Sequence, residues 1–158
     1  MTLAQETPTT EKLEDPRELV APELFAKLVA RVQEDMPVAT FYAELVVEQA
    51  LAFLATIAAQ DTDDEDAAKL SPSKAVDPGW HAFLAFTDEY HQFCSKLTGG
   101  KFIHHLPVLP GTTLGWKSVP HTVQAIRAAG YPVNEAMWQA DASCGSTDNC
   151  DYRVAELN

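Results

Sequence analysis

Apolar positions recur at steps of three and four along most of this chain, the spacing that gathers them on one face of an α-helix. Between Pro16 and Glu34 they are Leu19, Val20, Leu24, Phe25, Leu28, Val29 and Val32. That stretch predicts an amphipathic helix, kinked or divided at Pro22, where the ring cannot be carried in a helix interior. From Pro37 to about Gln60 a broader stripe of Phe41, Leu45, Val46, Ala50, Phe53, Leu54 and Ile57 predicts the central core helix. A third helix is expected over 78–98, with Asp77 as its N-cap and Pro78 in the first position, where a missing N–H costs nothing. Trp80, Phe83, Thr87, Tyr90, Cys94 and Leu97 run down one side of it, Leu84 widens the stripe, and Gly99-Gly100 supply a left-handed end. A fourth helix is expected from Val119 or Pro120 to Ala129, closed by Gly130, with Asn134 to Trp138 adding a final turn.

The interruptions are as informative as the stripes. Residues 1–14 are polar and without apolar period, which predicts a flexible tail. Asp61 to Asp66 places five carboxylates in six residues, expected as a solvated loop. It lacks the central Gly and terminal Glu of an EF-hand calcium loop. Prolines at 107 and 110 force extended geometry on their predecessors, so 101–111 should cross the helices without being one. The expected fold is all-α: a compact bundle of about four helices with an extended crossing segment near 101–111 and flexible termini. Its single helical domain covers 15–140, and a turn-rich, cysteine-containing tail covers 141–158.

Composition then narrows the partners. The 158 residues carry 11 Lys and Arg against 23 Asp and Glu, a formal charge of −12. Nucleic acid and anionic membranes bind clustered cations, so neither is expected. No uninterrupted apolar run approaches the roughly 20 residues of a bilayer-spanning helix. The start, Met1 to Glu6, lacks the basic segment and apolar stretch of a secretory signal, and a cytoplasmic location is expected. Three cysteines, an odd number, do not make a disulfide framework there. Cys94, Cys144 and Cys150 are then buried thiols, ligands or redox groups.

Ligand-type side chains are densest between 81 and 105, at His81, Asp88, His91, Cys94, His104 and His105. On one continuous helix, His81 and Asp88, seven apart, share nearly one face, and His91 is rotated away from it. The helix holds no His-x-x-x-His pair, so a metal site needs His104 or His105 to complete it. In an extended segment adjacent side chains point to opposite sides, so only one of these two should face inward. His81, in the first turns of the expected helix, would be kept neutral by the dipole and able to bind metal. The bland alternative makes His81 a buried side chain bonded to a carbonyl and Cys94 a small buried hydrophobe. His91, beside Glu89, and His121 are weaker candidates.

The C-terminal Cys144-Gly145-Ser146-Thr147-Asp148-Asn149-Cys150 is the second concentration. Five turn-forming residues between two thiols permit a disulfide-closed loop or a shared soft metal, without matching a Cys-x-x-Cys motif. Folded over the third helix, these thiolates with one or two histidines would form an N/S set suited to zinc, copper or iron.

Asp77-x-x-Trp80-His81, followed by Tyr90-x-x-x-Cys94 and then His104-His105-Leu106-Pro107, resembles the glycine-rich domain-containing protein family, in its short bacterial, actinobacterial-type members. The similarity covers about 70–110. It implies an α-helical domain and marks Trp80, His81, Tyr90, Cys94, His104 and His105 for attention; the glycine-rich extension of longer members is missing.

The expected function is a small metal-binding protein, or a metal-dependent enzyme of specialised metabolism, with His81, His104, His105, Cys94, Cys144 and Cys150 as candidate ligands to a transition metal. A small molecule or peptide would be the substrate, and the residues assign no catalytic role. The alternative is a non-catalytic helical interaction module with structural histidines, whose acidic surface meets a basic protein. A thiol-redox role for Cys144 and Cys150 is a third reading. No phosphate-cradling glycine loop or dinucleotide fingerprint offers a rival mechanism.

Overall fold

The computed structural model describes residues 12–60, 70–107, 119–139 and 150–156. A 3-10 turn, Pro16–Leu19, is capped by the Asp15 carboxylate, which accepts from the Arg17 N–H at 2.9 Å. Helix α1 (Pro22–Asp35) follows. Pro22 holds the first position of α1, so the expected first helix is divided there.

Helix α2 (Thr40–Ala59) is the centre of the core, with Val46, Val47, Ala50, Leu51, Phe53, Leu54 and Ile57 all buried. By length and composition its 20 residues could cross a bilayer, but they include Glu44 and Glu48, and 67% of its most apolar window is buried inside the fold. Phe41 does not join the core stripe as expected: it lies in the first turn of α2 and is 72% exposed. Gln49 takes the reverse course, an amide at 1% exposure within the apolar helix. Its Nε2 donates to Pro132 O at 3.2 Å, while its Oε1 accepts from Asn134 N at 3.0 Å and Trp138 Nε1 at 2.7 Å. One buried side chain thereby fastens the segment 132–138 to the core.

The continuous helix expected over 78–98 is two helices, α3 (Asp77–Leu84) and α4 (Thr87–Thr98), separated at Ala85 and Phe86. Seven residues of straight helix would hold Phe83 and Tyr90 roughly 10 Å apart along the axis. The bend brings their rings to 5.1 Å, with Phe93 at 5.0 Å from Phe83, so both helices turn aromatic faces into one core. Asp77 is also not the cap; Val76 precedes the helix and Asp77 is its first residue. Gly79 lies so close to α2 that an added Cβ would sit 2.7 Å from Val46 O and 2.7 Å from Ala50 Cβ. Gly99, with φ 70°, ends α4 in the left-handed conformation, and Ser95 O accepts from the N–H groups of Gly99 and Gly100.

The expectation of a purely helical fold needs correction. Strand β1 (Phe102–Pro107) pairs antiparallel with strand β2 (Cys150–Ala155), from Phe102 opposite Ala155 to Pro107 opposite Cys150. The described residues thus form five α-helices and a two-stranded sheet, and the C-terminal segment 150–155 is a strand, not part of a flexible terminus. Helix α5 (Val119–Ala128) and a 3-10 turn, Glu135–Trp138, complete the order. The acidic run 61–66 and Cys144 lie outside the described residues.

Candidate metal centre

Helix α3 and strand β1 meet through aromatic rings. Trp80 is fully buried, and its Nε1 donates to Tyr90 Oη at 2.9 Å, which donates in turn to Ile103 O at 2.7 Å. This relay ties α3, α4 and β1 together. Burial, reinforced by neighbouring Cys94, pushes the Tyr90 phenol far above its ordinary range, so the hydroxyl stays protonated and available to donate. Ile103 is buried, so by the alternation of the strand His105 follows it inward while Phe102 and His104 take the other face.

His105 there stacks edge-on against Trp80 and against His81, each with ring centroids 4.6 Å apart. His81 stands one turn after Asp77 on α3, and its Nε2 lies 3.2 Å from Asp77 Oδ2. One ligand atom each from Asp77, His81 and His105 falls within 4.8 Å of the others. Asp77 and His81 have further interactions nearby. The His105 Nε2 is buried and has no hydrogen-bond partner among the described residues. Burial lowers the His105 pKa first, and the His81 charge lowers it further against the opposing pull of Asp77. Its imidazole is therefore neutral at neutral pH, with a lone pair free for an electrophile.

Of the other expected ligands, His104 and Cys94 stand elsewhere. His104 faces Phe102, ring centroids 4.8 Å apart, opposite Arg153 in the sheet register, and its pKa is lowered by burial and then by Arg153. Cys94 is fully buried on α4 and is not part of the cluster; burial raises its thiol pKa, against smaller lowering contacts to the Ile103 backbone and Tyr90. Cys150 contributes its backbone to β2, and its side chain lies outside the described residues. His91 touches the Phe102 ring at 6.1 Å, and Asp88 accepts from Gln92 on the surface of α4. The break after Leu84 removes the shared face that would have put Asp88 beside His81. It also puts His81 in the last turn of a short helix, so the dipole argument for its neutrality falls away.

Asp77 is the cluster member that sequence reasoning assigned elsewhere. Its signal was the Asp77-x-x-x-His81 spacing, one helical turn on one face, obscured because the same aspartate suits a cap.

A family model described as UCP032817-like matches residues 18–116, more than half of the chain. The chain belongs to the UCP032817-like family. This uncharacterised family replaces the expected glycine-rich domain family, of which nothing gives a sign. The motif behind that resemblance contains Trp80 and Tyr90, whose buried relay is a requirement of packing and does not by itself mark a lineage. Asp77, His81 and His105 all fall within the UCP032817-like span, whereas β2 lies beyond it. No curated protein and no solved structure matches the chain.

The two histidines of β1 also set a pH dependence. For both His104 and His105 the folded pKa is below the ordinary 6.5, so the unfolded chain binds more protons in the acidic range. Neither group affects stability well above 6.5; as pH falls below 6.5 toward the folded values, stability is lost. Denaturant midpoints of the metal-free protein are expected to decline below about pH 6.5, and to decline less steeply in His105→Gln. An unchanged slope in that variant would remove His105 from the account.

Proposed function

We propose that this chain is a small metal-binding protein in which Asp77, His81 and His105 hold a divalent transition ion. The observation that carries the reading is the convergence of one ligand atom each from Asp77, His81 and His105 within 4.8 Å, at a histidine whose buried Nε2 has no partner among the described residues. The His104 Nε2 is likewise buried without a partner among the described residues, so what distinguishes His105 is its convergence with Asp77 and His81. Ligand atoms around a tetrahedral ion bound at about 2.1 Å stand roughly 3.4 Å apart. Asp77 and His81 already approach at 3.2 Å, so a small rotation of the rings closes the set.

Two imidazoles and a carboxylate form a borderline donor set that favours zinc, and iron(II) among redox metals, over copper(I), which prefers thiolates. Three protein ligands leave coordination positions for water or substrate, the arrangement on which a metal-dependent enzyme would depend. His81 has a side chain 52% exposed, which leaves an approach from solvent.

Elemental analysis of protein purified without a polyhistidine tag is expected to find about one ion per chain after zinc loading and dialysis. Cobalt substitution should give visible d–d absorption. In Asp77→Asn the carboxylate is replaced at nearly constant shape, and zinc affinity should fall by about a hundredfold or more with the helical circular dichroism unchanged. Less than about 0.1 ion per chain in the unaltered protein would overturn the reading.

A further inference from the structure

The proposed ligands come from two parts of the fold that are joined in few other places. Asp77 and His81 belong to α3, held against the core by the Gly79 approach to α2 and by the buried Trp80. His105 belongs to β1. The base of β1 is fixed to α4 by the Tyr90 hydroxyl on Ile103 O and by the Thr98 hydroxyl on Lys101 O at 2.6 Å. Beyond Ile103, the ring contacts between β1 and the helices are those of His105 with Trp80 and His81, while His104 stacks on Phe102 of its own strand. Strand β2 in turn packs extensively on β1, far more than on any other described element; Val154, opposite Ile103, is its residue at the edge of the core.

We infer that an ion held by Asp77, His81 and His105 fastens the β1–β2 sheet to α3, so that metal occupancy controls the docking of the C-terminal strand. The inference rests on the metal-binding reading above. A ligand that binds only the closed form lowers the opening equilibrium by the factor 1 + [L]/Kd. Opening that separates β1 from α3 must pull His105 away from the other two ligands and lose the ion. Fraying of the Pro16–Leu19 turn leaves the three ligands in place and should be indifferent to metal.

Amide hydrogen exchange on the full chain, with zinc alone as the probe and isothermal titration calorimetry run beside it, tests this. With zinc at a hundred times its dissociation constant, amides of 103–106 and 151–155 should exchange about a hundredfold more slowly. Those of 17–20 should keep their rate. In Asp77→Asn the strands should exchange as in the metal-free protein whether or not zinc is present, which also guards against His105 variants that fail to fold. Zinc binding by calorimetry without slowed exchange in the two strands would overturn the coupling and leave the site standing. Absence of zinc binding would overturn both.

Discussion

Gln49→Leu is expected to destabilise the protein by about 3–5 kcal/mol, because it strands two donors and an acceptor at once. Leucine matches the volume of the amide and suits the apolar surroundings of α2, so the change isolates the hydrogen bonds from packing. It leaves Trp138 Nε1–H and Asn134 N–H without their acceptor and Pro132 O without its donor. Each buried group so abandoned costs about 1–3 kcal/mol, with the lower end apt for the two part-buried backbone partners. Trp138 is only 4% exposed and cannot turn its indole N–H to water without leaving the core, where its ring meets Phe53 at 6.1 Å. Guanidinium unfolding checks the figure, and exchange of the 133–138 amides checks the mechanism. A loss below about 1 kcal/mol would mean that water replaces the amide and that Gln49 is not the fastening.

Gly79→Ala should cost about 3 kcal/mol, the upper part of the range for overpacking. The new methyl would lie 2.7 Å from both Val46 O and Ala50 Cβ, and neither is the end of a flexible side chain that could swing aside. Relief therefore requires α3 to lift from α2. Because Asp77 and His81 flank Gly79 on α3, the lift also moves two proposed ligands relative to His105, and zinc affinity should fall along with the thermal midpoint. The paired small residue offers a rescue: Ala50→Gly in the same chain removes one of the two clashes and should recover part of the stability. A Gly79→Ala protein with unchanged midpoint would show that the two helices are not held at this approach.

The division of labour between chain and fold runs through these residues. Local rules were enough for the helical segments, because a stripe at three- and four-residue spacing, a proline at position 22 and a left-handed Gly99 act within a turn or two of themselves. They failed at Ala85 and Phe86, where no glycine or proline marks the bend and its cause is the mutual packing of Phe83, Tyr90 and Phe93. They also failed on Gln49, whose partners lie 83 to 89 residues away.

The family resemblance drawn from Trp80, His81, Tyr90 and the His104-His105 pair was overturned by the UCP032817-like match, although the same residues were the right place to look for geometry. The sequence by itself determined most of the helical segments and that His104 and His105 point to opposite sides. Tertiary structure decided that β1 pairs with β2, that Asp77 and not Cys94 stands beside His81, and that His105 is the ring that meets them. The physical reason is range. Backbone periodicity is written in neighbouring residues, whereas a cluster of Asp77, His81 and His105 forms only after the buried aromatic relay has drawn a strand against a helix.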